Sequence, residues 1–289
     1  MTGSKHKYGA VALLLACYCH ATTVVLFVQP AGIVIGSDSK GTLAGKFTPV
    51  NSEAIRRTKI FVVQKRIVIA VLGLAHVEIP KGKVAYDFPT WIDKVSQNLP
   101  TNISVSQLAS VIESKSQQTF SGFDQAIIKT HTLPRPFLNP FINLLIYIIA
   151  GYENGEPSIF AVQFYVDWTH ETLIGPIKSD FHSADSPAGK YYVATLGHDN
   201  AISDYENQES YAYKQCLTRS PKTFAKMLAS EPITVPEAQR IAQVLIDIEE
   251  QVEPNTVGGD IQLGTILPSG VASIKIIEKR VLPKAHAKK

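Results

Sequence analysis

Two hairpins whose strands are apolar on both faces constrain this chain more than any other feature. Thr22 to Val28 reads TTVVLFV, and Gln29-Pro30-Ala31-Gly32 supplies turn residues before Ile33-Val34-Ile35-Gly36-Ser37-Asp38 returns. Lys59 to Val63 (KIFVV), a turn at Gln64-Lys65-Arg66 and Ile67 to Gly73 (IVIAVLG) repeat the arrangement. A strand with no polar face needs cover on both sides, so both hairpins belong inside a multilayer fold. Between them Gly41 to Thr58 is polar and aperiodic, and reads as a loop.

The remainder alternates helices and strands. Ser104 with Gln107 forms a capping-box pattern opening a helix through about Gln118. Strands return at Leu144 to Ala150 and Ser158 to Val166 around Tyr152-Glu153-Asn154-Gly155, a strong turn signal. A helical stretch over Ala201 to Leu228 is interrupted at Ser220-Pro221, and Thr234-Val235-Pro236-Glu237 opens another helix running to Val252. Asp260 to Leu267 and Val271 to Ile277 close the chain as a hairpin over Pro268-Ser269-Gly270. No internal repeat is present. Strands, helices, strands, helices, strands in that order imply α+β layers and not a parallel doubly wound sheet.

At 289 residues and 45% hydrophobic content, the chain is long enough for one large core or two small ones. A formal net charge of +3 gives no reason to expect a nucleic-acid partner. The basic tail Lys284 to Lys289 is assigned no role. Residues 1–21 read as a signal peptide: Lys5 and Lys7 precede the apolar run Tyr8 to Cys19, and Cys19-His20-Ala21 resembles a signal-peptidase site. The run is too short for a permanent membrane span. A buried N-terminal element, or Leu14-Leu15-Ala16-Cys17 as a lipoprotein box, are the alternatives. Cleavage after Ala21 would export the chain to the periplasm or the exterior, expose Thr22 as a new N-terminus and leave Cys216 as the one remaining cysteine. The domain proper is then 22–289. The histidines lack ligand spacing, so no metal is expected. Asn102-Ile103-Ser104 is a glycosylation sequon by pattern.

Hairpin register brings the chemistry into view. Pairing Val28 with Ile33 puts Asp38 opposite Thr23, beside Thr22. Pairing Val63 with Ile67 puts Lys59 and Gly73 at one open end. If the two hairpins align in one sheet, Thr22, Asp38, Lys59 and the Gly73 backbone converge.

The stretch from Thr22-Thr23-Val24-Val25 through Gly32-Ile33-Val34-Ile35-Gly36-Ser37-Asp38-Ser39-Lys40 resembles the start of a proteasome β subunit, where a mature N-terminal threonine precedes a G-[VI]-[VI]-[VIL]-[AG]-[AS]-D-S-[RK] signature. The spacings from Thr22 to Asp38 and from Lys59 to Gly73 agree with that family, although the intervening loop is longer. Ile148 to Phe164 is similar to its central hairpin, and Val257-Gly258-Gly259-Asp260-Ile261-Gln262-Leu263 to its late Ser-Gly-Gly segment. Specific motifs cover only the first fifty or so residues of the match.

The resemblance implies a four-layer αββα sandwich of the N-terminal nucleophile (Ntn) hydrolase type, acting as a threonine-type peptidase or amidohydrolase. It implies Thr22 as nucleophile, Lys59 tuning its basicity, Asp38 holding Lys59, and the Gly73 amide as oxyanion donor. No cofactor is required; the partners are a peptide or amide substrate and, as an open question, further copies of the chain. Two departures stand against activity. Leu196-Gly197 replaces a serine before glycine, and Pro254-Asn255-Thr256-Val257-Gly258-Gly259 replaces Asp-x-x-Ser-Gly-Gly. Asn255, Thr256, Asp199 or His198 would have to stand in; otherwise the chain is a catalytically silent structural or binding relative.

Overall fold

The structure is a computed structural model and describes residues 22–41, 55–73, 76–79, 83–121, 141–167, 169–170, 172–180, 192–197, 201–229, 231–254 and 257–279. The expected leader, its cysteines, and His198, Asp199, Asn255 and Thr256 lie outside the described residues. Within them the fold is mixed α+β, built on two five-stranded antiparallel sheets.

The first sheet runs β12-β1-β2-β13-β14, with β1 Thr23–Gln29, β2 Gly32–Asp38, β12 Tyr192–Gly197, β13 Ile261–Ile266 and β14 Ala272–Ile277. The second runs β11-β10-β9-β6-β5, with β5 Ile60–Val63, β6 Ile67–Gly73, β9 Phe141–Glu153, β10 Glu156–Asp167 and β11 Thr172–Asp180. Two small ribbons complete the strands: β3 Lys40–Gly41 with β4 Ile55–Arg56, and β7 His76–Ile79 with β8 Lys83–Asp87. The first of these ribbons occupies the two ends of the stretch expected to be all loop. Both hairpin registers are as the loop lengths require: Val28 pairs with Ile33, and Val63 with Ile67. The two hairpins do not share a sheet, however. β1–β2 belongs to one and β5–β6 to the other, so any meeting of their residues takes place across the gap between sheets.

Alternation of side chains along these strands explains why both faces are apolar. Val24, Leu26, Ile33 and Ile35 point into a core shared with Ile60, Val68, Ala70, Leu72 and Ile148 of the other sheet. Their neighbours Val25, Phe27 and Val34 point the other way, against helices. There they meet α5 (Val235–Val252) through Ile241, Leu245 and Ile248, together with Ala212 of α3 (Tyr211–Arg219) and Phe224 of α4 (Pro221–Leu228). On the far side of the second sheet Ile69, Val71, Tyr147 and Phe164 pack with Phe88 and Ile92 of α1 (Phe88–Ser96) and Leu108 and Ile112 of α2 (Val105–Phe120). Truncating a central residue such as Leu26 to alanine would cost about 2–5 kcal/mol.

Local signals fix the helix starts. The Ser104 hydroxyl accepts from the Gln107 amide while Gln107 accepts from the Ser104 amide, and Thr234 and Glu237 do the same for α5. The break at Ser220-Pro221 separates α3 from α4, but residues 201–206 are turns, so helix begins at Tyr211 and not at Ala201. Helix α1 and strands β7, β8, β11 and β12 were not anticipated. Asp87 opens α1 by accepting from Thr90. Among the described residues no helix is long and apolar enough to cross a membrane.

Candidate active site

Asp38 ends β2 and is fully buried. Its Oδ1 accepts from the Thr23 amide at 2.9 Å and from Lys59 Nζ at 3.2 Å. Its Oδ2 accepts from the Lys40 and Gly258 amides, each at 3.2 Å. The two Oδ2 donors come from the chain leaving β2 and from the Gly258-Gly259 segment leading into β13. A carboxylate with several donors on both oxygens is held in one orientation.

Lys59, immediately before β5, is only 2% exposed and reaches Asp38 across the inter-sheet gap. Burial pulls its ammonium below the ordinary lysine value; Asp38 opposes that through charge and hydrogen bond, and Lys40 adds to the lowering. A buried ammonium acts on a neighbouring amine or hydroxyl more strongly than a solvated one, because less water screens its charge. Its backbone is fixed too: the Lys59 amide donates to Gln262 Oε1 at 2.9 Å, and the Lys59 carbonyl accepts from Val71 at 2.9 Å.

Thr22 lies directly before β1 and is 2% exposed. With Gly73 it borders a small cavity also lined by Leu72, Asn143, Leu145, Ile146 and Gly197. Gly197 faces Thr23 in the register, and a Cβ there would stand 2.1 Å from the Thr22 carbonyl oxygen, so only glycine lets β12 approach so closely. All four sequence-predicted residues therefore sit in one neighbourhood. Lys59 contacts Asp38, Asp38 holds the amide next to Thr22, and Thr22 and Gly73 share a cavity.

Of the three departing positions, Leu196 and Val257 are apolar and packed, whereas Pro254 is exposed. Leu196 belongs to the inter-sheet core, and Val257 is fully buried. Pro254 presents its carbonyl to Lys40 Nζ. Sequence reasoning passed over Gln262, which lies opposite Ser37 in the register and hydrogen-bonds into the Lys59 segment. Nothing in a lone glutamine on a strand announces a role that depends on the facing sheet. Among the described residues no group of three or more His, Cys, Asp or Glu side chains could hold a metal ion. Compared with known proteins, the chain matches no family model, and no curated protein is significantly similar to it.

Proposed function

We propose that this chain is an Ntn hydrolase of the proteasome β-subunit type, with the αββα sandwich of that class, and that it cleaves an amide or peptide bond once its leader is removed. The observation that carries this reading is the buried Lys59–Asp38 pair at 3.2 Å, bridging two sheets beside Thr22. An isolated buried ion pair is poor value for stability, because desolvation offsets its attraction. One beside an N-terminal threonine has a chemical use.

With Thr22 as the N-terminus, its α-amine, ordinarily near pKa 7.7–8.0, accepts the hydroxyl proton. Oγ1 then bonds to the substrate carbonyl carbon, and the carbonyl π pair moves onto oxygen, where the Gly73 N–H stabilises it by roughly 3 kcal/mol. The C–N bond breaks as the protonated α-amine returns its proton to the leaving nitrogen, giving an ester on Thr22. Water, deprotonated by the same amine, hydrolyses the ester and restores the hydroxyl. The Lys59 ammonium lowers the α-amine pKa by like charge and favours the developing threonine oxyanion by opposite charge, and Asp38 keeps Lys59 in place. Export through the leader and assembly with further copies extend the same reading.

The test is labelling of the chain beginning at Thr22 with a peptidyl β-lactone, followed by mass spectrometry of the N-terminal peptide. Labelling of Thr22 that is lost in Thr22→Ala and kept in Thr22→Ser is expected. A correctly processed wild type that takes no label would overturn the hydrolase in favour of a silent scaffold. The burial of Leu196 and Val257, with no hydroxyl at either position, is what favours that second reading.

A further inference from the structure

We propose that Gln262 is a positioning residue that brackets the Lys59 segment against the Asp38 strand; the inference rests on the hydrolase reading above. Asp38 and Lys59 stand in different sheets, so their contact needs something to set the sheets' separation and lateral offset at that point. Gln262 is 4% exposed and lies on β13, hydrogen-bonded neighbour to β2, one register position from the residue facing Asp38. Its side chain crosses the gap. Oε1 accepts from the Lys59 amide at 2.9 Å and the Ile60 amide at 3.1 Å, while Nε2 donates to the Arg57 carbonyl at 2.7 Å.

Those three bonds make the carboxamide a substitute strand partner. β5 is the edge of its sheet, and Gln262 supplies backbone hydrogen bonds from the facing sheet at the point where Lys59 leaves the ladder. An amide suits this task because one group both accepts and donates. Holding three backbone groups of residues 57–60 at fixed distance from β13 also fixes their distance from β2, and hence Lys59 Nζ from Asp38. The charged groups acting on Lys59 are Asp38 and Lys40, both on the β2 side of the gap, so a shift of the Lys59 segment changes both together.

The experiment compares wild type, Gln262→Met and Gln262→Glu in the chain beginning at Thr22, using the peptidyl β-lactone. For Gln262→Met the maximal inactivation rate is expected to fall about tenfold to a hundredfold, the scale of a misplacement near 1 Å. Half-saturation by the lactone should stay within about twofold, since nothing that binds the probe is removed. Gln262→Glu keeps the acceptor for the Lys59 and Ile60 amides and should retain more of the rate. In parallel, the Lys59 ammonium is titrated by carbon NMR of its ε-carbon in a Thr22→Ala background, with and without Gln262→Met, and the midpoint should move by about half a unit or more.

If wild type is labelled but a folded Gln262→Met keeps its rate and titration, the bracket is overturned and the hydrolase stands. If wild type is never labelled yet the Lys59 midpoint moves, the bracket stands and the hydrolase falls. Should Gln262→Met not fold, a folded Gln262→Glu decides: loss of rate beyond about a hundredfold, past what a 1 Å misplacement accounts for, counts against positioning.

Discussion

Two carboxylates at opposite ends of the sheets solve the same problem in different ways. Asp38 is fully buried and takes three backbone amides and a lysine. Glu153, at the turn between β9 and β10, takes the Ser106 amide and hydroxyl at 2.8 and 2.9 Å and the Ser158 hydroxyl at 3.3 Å. It sits at the start of α2 beside an open cavity of about 350 Å³ bordered by Arg66, Ser104 and Tyr152. Partial burial works against the Glu153 anion, but the serine hydrogen bonds outweigh it and hold its carboxyl below the usual range. Glu153 has a structural task, closing a helix start, and neutral donors suffice. Asp38 has more partners than any turn requires, and one of them is a cation whose burial is costly. The difference separates an anion that stabilises from an anion that holds something else in place.

Lys59→Met tests this most severely. Removing one partner of a buried pair leaves Asp38 uncompensated, so the chain is expected to lose about 3–5 kcal/mol, read by urea denaturation, together with all β-lactone labelling. Adding Asp38→Asn should recover part of the stability and none of the labelling. The sign of the pH dependence is also set. Folding lowers the Lys59 pKa, so between the folded value and about 10.4 the unfolded state binds more protons and wild-type stability rises with pH. Lys59→Met should lack that rise.

Glycines at the two ends form the next contrast. Gly73 and Gly155 share nearly the same positive φ, 84° and 83°. A Cβ at Gly73 would stand 2.3 Å from the Leu144 carbonyl oxygen, whereas at Gly155 nothing lies within 4 Å. Gly73→Ala is expected to cost about 2–5 kcal/mol, combining the left-handed backbone penalty with displacement of β9. Thermal denaturation and labelling should fall together.

Glu153→Gln is expected to cost about 2 kcal/mol at neutral pH, the scale of hydrogen bonds to a charged acceptor. Because folding depresses the Glu153 pKa, its contribution is present above the unfolded value near 4.3 and is lost as pH falls through the folded value. Melting temperatures of wild type and variant should therefore draw together as pH falls below the unfolded value and through the lowered folded value, with labelling at neutral pH unchanged. A loss of labelling would tie the two ends together and break the contrast.

How much of this was readable from sequence follows the same division between local and cross-sheet effects. The pairing of Val28 with Ile33, the capping boxes at Ser104 and Thr234, and the Ser220-Pro221 break depend on residues close in the chain, and each is where the sequence put it. Which sheet a hairpin joins depends on partners a hundred residues away, and the single-sheet alignment of the two hairpins was wrong for that reason. Strand β11 was missed because its exposed, mixed-polarity face carries no apolar alternation to detect. Gln262 was missed because its partners lie in the opposing sheet. The four candidate site residues were found through hairpin register and resemblance, and their meeting across the gap owes to packing that neither describes.

The smallest expected effect concerns the Asn154-Gly155 turn, the tightest connection at the Glu153 end. Glu153 pairs with Glu156, so the two turn residues both take positive φ, 53° and 83°. That geometry matches the twist of the flanking strands, and asparagine and glycine tolerate it best. Gly155→Ala adds a Cβ that meets no atom, leaving only the intrinsic penalty of the left-handed region, about 1 kcal/mol. Gly155→Asn should cost less, since asparagine enters that region several-fold more readily than other non-glycine residues. Both variants should label at the wild-type rate. A loss on the scale of Gly73→Ala would mean that the turn holds β9 in the position Gly73 needs, and the two ends could no longer be treated as independent.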